Sequence, residues 1–139
     1  MGGRSRINAA LTQHNPAIVI LELGANDGLR GANTDSVRAN LTAIIPACRA
    51  RNAKVLLIGM QLPPNYGSDY AEKFRALYAT VAKTQRVALT PFLFEGFAAD
   101  RASFQSDGIH PNAAAQPRML DNVWIALRPM LRRSAKSKA

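Results

Sequence analysis

An α/β fold, with a parallel sheet sandwiched between helices, follows from three features of the 139-residue sequence. Three runs, Ile18–Gly24, Lys54–Met60 and Val87–Phe92, are apolar at consecutive positions, the pattern of strands buried on both faces. The segments between them repeat apolar residues at helical spacing and are long enough for the crossovers that parallel strands require. After the first run comes a small, glycine-flanked loop, Gly24-Ala25-Asn26-Asp27-Gly28, at the place where open parallel sheets bind ligands.

Taken in order, residues 3 to 14 are expected to be helical, with Ile7 and Leu11 on one face, and to end before His14-Asn15-Pro16. His14 reads as an exposed turn residue. The first strand then runs into a loop extending through Thr34. The next helix, about Ser36 to Arg51, puts Val37, Leu41, Ile44, Ile45 and Cys48 on one buried stripe, capped by Thr34 or Asp35. Pro46 interrupts that stripe. A proline in a helix interior costs about 3 kcal/mol, so a kink or an early stop is expected there. Cys48 is the one cysteine and reads as buried filler.

The second strand is followed by Leu62-Pro63-Pro64-Asn65-Tyr66-Gly67, a rigid loop of turn-forming residues. A helix from Ser68 to Gln85 carries Tyr70, Phe74, Leu77, Tyr78 and Val81 at core spacing. The third strand leads into Phe92-Leu93-Phe94-Glu95-Gly96-Phe97, whose aromatics suit either core packing or the wall of an apolar pocket. A last helix, from near Ala113 or after Pro117, places Leu120, Val123, Trp124, Leu127 and Leu131 on its buried face.

The length allows one domain, residues 1–130, with a basic tail at 131–139. A 47% hydrophobic and 19% charged composition excludes the disordered class, and no apolar run approaches the roughly 18 residues of a membrane helix. The basic start Met1–Arg6 runs into a mixed polar segment, so a secretory signal is not expected in the supplied residues. The net charge of +9 draws on Arg128, Arg132, Arg133, Lys136 and Lys138 near the end, so it implies nonspecific attraction to anions. No motif for specific nucleic-acid recognition accompanies it.

Two groups of residues carry chemistry: Asn26 after the first strand, and Asp107 with His110 before the last helix. In acyl transfer an imidazole takes a hydroxyl proton, a carboxylate orients the imidazole, and neutral donors stabilise the oxyanion. His110 suits the base, Asp107 its orienter and Asn26 the donor. On spacing alone, the pair better fits a surface turn capping the helix opened by Pro111. No third ligand stands at metal-binding spacing, so no metal is expected.

Four blocks in order, Gly24-Ala25-Asn26-Asp27-Gly28-Leu29-Arg30-Gly31, Leu62-Pro63-Pro64-Asn65-Tyr66-Gly67, Pro91-Phe92 and Asp107-Gly108-Ile109-His110-Pro111, resemble the SGNH (GDSL) hydrolases, closest to the bacterial arylesterase, thioesterase I and lysophospholipase group. The resemblance implies a flavodoxin-like three-layer α/β/α fold and hydrolysis of carboxylic esters or thioesters by a Ser-His-Asp mechanism without a cofactor. It assigns His110 and Asp107 to catalysis and Asn26, with the Gly24 region, to the oxyanion hole. Asp27, Leu29, Leu62, Pro63, Tyr66 and Phe94 become candidate walls for a small acyl or aryl ester substrate. A bacterial periplasmic or secreted parent is implied as well.

The family's Gly-Asp-Ser-Leu block and second, oxyanion-glycine block have no match here. None of Ser5, Ser36, Ser68, Ser103, Ser106, Ser134 and Ser137 follows a Gly-Asp pair. The chain therefore reads as an ester hydrolase lacking its N-terminal strands. The Ile18 strand would then be an exposed edge, prone to self-association or to pairing with a missing N-terminal half. The other reading is an inactive interaction module whose basic tail holds anionic surfaces.

Overall fold

The computed structural model describes residues 2–132. Its elements in chain order are α1 (Gly2–His14), β1 (Ile18–Leu21), α2 (Ala25–Leu29), α3 (Thr34–Ala50), β2 (Lys54–Ile58), α4 (Ser68–Gln85), β3 (Ala88–Thr90) and α5 (Gln116–Arg132). Single 3-10 turns occur at Pro64–Tyr66, Arg101–Ser103 and Ala113–Ala115.

The strands form one open parallel sheet in the order β1-β2-β3, with Ile18 beside Lys54 and Leu56 beside Ala88. The central position of β2 explains why Val55, Leu56, Leu57 and Ile58 are all buried: helices cover both faces. Alternation along the strand puts Lys54, Leu56 and Ile58 on one face. The Lys54 ammonium donates to the Met130 carbonyl at 3.2 Å, so that face is the one beneath α5. On the other, α3 and α4 pack against each other and supply Val37, Leu41, Ile44, Ile45, Phe74, Leu77 and Val81 to the core. The strands follow one another in sequence order, so the right-handed crossovers usual for parallel strands put both helices on one side.

Several expectations need correction. The chain after β1 is not an uninterrupted loop: α2 occupies Ala25–Leu29, entered through Gly24 at φ 102°, a conformation suited to glycine. Helix α3 starts two residues early because Asn33, not Thr34 or Asp35, is its cap, its Oδ1 accepting from the Asp35 amide at 2.8 Å. Nor does Pro46 stop that helix, which continues to Ala50. Pro46 lies on its exposed side, where the buried stripe ending in Cys48 outweighs one lost backbone bond. At the other end of the chain α5 runs through Arg132, past the expected boundary at 131. The basic tail from 133 to 139 lies outside the described residues.

The orientation of α5 also differs from expectation. Val123 and Leu127 pack on the core together with Met119, Ala126 and Met130, whereas Leu120, Trp124 and Leu131 are exposed. The helix is turned so that only part of its apolar stripe meets the sheet.

Candidate active site

The residues between β3 and α5 build a compact turn around Asp107 and His110. Phe104 and Pro111 form an antiparallel bridge, the Gln105 amide donates to the His110 carbonyl at 2.8 Å, and the Asn112 amide to the Ser103 carbonyl at 2.9 Å. Gly108 closes the turn at φ 71°, where a side chain would be strained and would meet the Arg101 guanidinium. Arg101 in turn donates to the Ser106 carbonyl at 2.8 Å.

Inside this turn His110 Nδ1 lies 2.7 Å from Asp107 Oδ2. The other carboxylate oxygen accepts from the backbone amides of Ile109 and His110, at 2.9 and 3.0 Å. The bond from His110, followed by those two amides, holds the Asp107 carboxyl well below the usual carboxylate range. An ionised Asp107 can only accept, so the ring proton sits on Nδ1 and Nε2 is the basic nitrogen. The imidazole is 66% exposed, leaving Nε2 accessible from solvent. Capping of the following helix falls to a different residue: Asn112 Oδ1 accepts from the Ala115 amide at 3.2 Å. Asp107 and His110 are thus held to each other and not spent on the helix end.

Asn26 sits in the first turn of α2, at the carboxyl end of β1, with an exposed side chain. The segment around it is braced by every tyrosine in the chain. Tyr78 Oη donates to the Leu23 carbonyl at 3.0 Å, Tyr66 Oη to Leu29 at 2.8 Å, and Tyr70 Oη to Ala32 at 2.7 Å with a longer contact to Gly28 at 3.3 Å. Burial pushes the Tyr78 phenol up, with Asp27 and Glu22 adding to the effect, so it stays a donor. Gly28 allows the close approach of α2 to α4, since a Cβ there would lie 2.5 Å from the Phe74 ring and 3.0 Å from Leu62.

The bracing role of the tyrosines was not evident from sequence. Tyr70 and Tyr78 fall on a core stripe, and Tyr66 in a turn-rich loop, so their rings were accounted for and their hydroxyls were not. The available signal was that all three lie within thirteen residues.

The remaining candidates divide. Leu62 packs on the core beside Gly28, and Tyr66 supports α2. Phe94 is half-buried in an aromatic cluster, with ring centroids 5.7 Å from Phe92, 5.6 Å from Phe97 and 5.6 Å from Phe104. The Arg118 guanidinium caps that cluster 4.8 Å above the Phe97 ring. Asp27 and Leu29 are half-buried in α2, and Pro63 is exposed. An open cleft of about 570 Å³ lies against Gln61, Phe92 and residues 95–100, and none of these candidates lines it. Asn26 lies just past the carboxyl end of β1, and Asp107 and His110 in the segment between β3 and α5; the structure records a direct contact only between the last two. Among the described residues no serine hydroxyl is hydrogen-bonded to His110; that of Ser103 donates to Asp100 Oδ2 at 2.7 Å.

Comparison with known proteins bears on this arrangement. Residues 2–117 match the model of the GDSL-like lipase/acylhydrolase family. Esterase TesA of Pseudomonas aeruginosa is 49% identical over 130 residues, which cover 94% of this chain and 65% of the relative. Thioesterase 1/protease 1/lysophospholipase L1 of Escherichia coli is 43% identical over 131 residues, covering 93% of this chain and 62% of the relative. A crystal structure of TesA superposes with a TM-score of 0.90, covering 93% of this chain and 72% of that one. The chain thus spans under two thirds of the length of these curated relatives. With a family match over residues 2–117 and a shared fold, the chain belongs to the GDSL-like lipase/acylhydrolase family.

Proposed function

We propose that this chain carries the acid–base half of a serine ester hydrolase acting on carboxylic esters or thioesters. The observation that carries the reading is the 2.7 Å bond between His110 Nδ1 and Asp107 Oδ2, which makes Nε2 the base. In the forward step Nε2 accepts a proton from a serine hydroxyl as its oxygen attacks the acyl carbonyl. Asp107 holds the tautomer and stabilises the imidazolium. The same proton then passes to the leaving alcohol or thiol, and a water molecule repeats the sequence to release the acid. Asn26 donates to the carbonyl oxygen as it becomes an oxyanion, a contribution of about 3 to 4 kcal/mol for one such donor. The names of the relatives, an esterase and a thioesterase/lysophospholipase, support this reaction class.

The nucleophile belongs to a Gly-Asp-Ser block, which is not among these 139 residues. The test compares the chain with a fusion in which a segment bearing a Gly-Asp-Ser block precedes it, assayed on p-nitrophenyl butyrate. The chain alone is expected to give only background hydrolysis, and the fusion robust turnover that is lost when the block serine becomes alanine. Turnover by the chain alone that survives replacement of all its serines would overturn the serine mechanism.

A further inference from the structure

We propose that the amino end of the sheet is a docking face for the surface of an anionic lipid bilayer, built by exposed cations from both helical layers and not by the tail at 133–139. The face lies at the other end of β1 from Asn26 and does not depend on the proposed hydrolysis.

Charge is divided unevenly along the fold. Of the nine acidic residues, Glu22 and Asp27 follow β1, and Asp35, Asp69 and Glu72 stand in the first turns of α3 and α4. Glu95, Asp100 and Asp107 lie in the segment between β3 and α5, and Asp121 in the first half of α5. None stands where α1, α3 and α4 end and the strands begin. That end carries Arg49, Arg51, Lys54, Lys83 and Arg86, and the bond from Lys54 to the Met130 carbonyl brings the end of α5, with Arg128, to the same place. All six cations are exposed. Elsewhere Arg38 pairs with Asp35, Arg75 with Glu72 and Arg118 with Asp100, but among the described residues none of these six has a carboxylate partner. Helix ends account for part of the basicity. A helix C-terminus carries about half a negative charge, so four of them offset about two of the six cations and leave a surplus of about four.

The backbone gives a second, independent sign. Each turn from helix to strand at this end contains a left-handed residue: Asn15 at φ 40°, Asn52 at φ 60° and Arg86 at φ 52°. Asparagine tolerates that conformation, whereas arginine is strained in it, so position 86 holds a long cation where glycine or asparagine would sit more easily. The face is also fixed. Arg49 Nη2 donates to the carbonyls of Gln85 and Arg86, to the second at 3.0 Å, and Arg51 Nη2 donates to Thr12 Oγ1 at 3.0 Å, which ties the ends of α1, α3 and α4 together.

Shape selects the occupant. The connections at this end, 15–17, 51–53 and 86–87, are two or three residues long, so nothing projects to enter a nucleic-acid groove. No aromatic side chain stands in them or in the last two turns of α1, α3, α4 or α5, so no base could be stacked. A flat face of one sign matches the headgroup plane of a bilayer containing anionic lipid, where every Lys or Arg near the surface adds to the attraction. Adsorbed through this end, the chain keeps the segment bearing Asn26 on the aqueous side.

The full 139-residue chain is mixed with phosphatidylcholine vesicles containing about one third phosphatidylglycerol, and its partition is measured by sedimentation. The expected result is binding to these vesicles and not to phosphatidylcholine alone, weakening as salt rises. At about fivefold per cation, the triple variant Lys83→Gln, Arg86→Asn and Arg128→Gln should bind about a hundredfold more weakly. Arg38→Gln, Lys73→Gln and Arg75→Gln together remove the same charge from the first halves of α3 and α4 and should weaken binding less than about threefold. Deletion of residues 133–139 should leave that difference between the two triple variants in place. Arg86→Asn alone should raise the urea midpoint while weakening adsorption, a combination that an arginine serving the fold would not give. Equal losses in the two triple variants, adsorption that depends on the tail alone, no preference for anionic vesicles, an Arg86→Asn variant that adsorbs as the native chain does, or tighter binding to duplex DNA than to the vesicles at the same ionic strength would each overturn the proposal.

Discussion

Replacing Tyr78 by phenylalanine isolates the hydroxyl that fixes the entry to the Asn26 segment. The ring is buried and meets Phe74 edge-on at 5.5 Å, so Phe keeps the packing and removes only the donor to the Leu23 carbonyl. One hydrogen bond contributes about 1 kcal/mol net, and an acceptor left without a partner raises the cost to between about 1 and 3 kcal/mol. Because Leu23 is only half-buried and water can partly replace the phenol, the lower part of that range is expected. Tyr78→Ala removes the ring as well and should cost about 3 to 5 kcal/mol, as large-to-small core changes do. Urea denaturation followed by far-UV circular dichroism measures both, and hydrogen exchange at the Gly28 amide, which bonds to the Gly24 carbonyl at 2.9 Å, reports on the segment itself. Phe should speed exchange at Gly28 well beyond its global effect. A Phe variant as stable as the native chain, or one as damaged as the Ala variant, would refute the bracing role.

Gly28→Ala should destabilise the fold by about 1 to 3 kcal/mol, because its Cβ would press on the Phe74 ring; adding Phe74→Leu should recover part of that loss, as denaturation midpoints would reveal. Pro46→Ala should raise stability by up to about 3 kcal/mol, since α3 runs through an exposed proline; a lower urea midpoint would show that native packing depends on it. The Asp107 carboxyl, held low by His110 and two amides, should stay ionised on acidification. A folded value below the unfolded one means that its stabilising contribution is present above the ordinary aspartate range near 3.9 and is lost as pH falls through the folded value. Carboxyl carbon-13 shifts should therefore show no Asp107 titration between about pH 5 and 3.9. An inflection there would mean that the bond to His110 is not made.

Much of the architecture was legible because it is written in local periodicity. The apolar strands and the stripe from Val37 to Cys48 follow directly from burial on two faces or one, and α4 matches its expected span from Ser68 to Gln85. The Asp107–His110 pair was singled out through the family resemblance, because its spacing alone suits a helix-capping turn; that the two side chains bond to each other is visible only in the folded turn. What the sequence concealed depends on contacts distant in the chain. Helix α2 is too short to show a period, and it is held from outside by Tyr66 and Tyr70 and by the fit of Gly28 under Phe74. The rotation of α5 was hidden for a related reason. Its apolar residues extend around more than one face, and periodicity alone cannot tell the flank over the sheet from the flank beside it. Pro46 shows propensity overridden by packing, as one lost bond is offset by a buried stripe on the other side of the helix.

The most direct test of the account is the turnover of Asp107→Asn in the fusion carrying the Gly-Asp-Ser block, measured on p-nitrophenyl butyrate beside the unaltered fusion. An amide cannot hold the proton on Nδ1 as the carboxylate does, so kcat should fall by about four orders of magnitude with the fold intact. Turnover within about tenfold of the unaltered fusion would contradict the claim that this pair drives the chemistry.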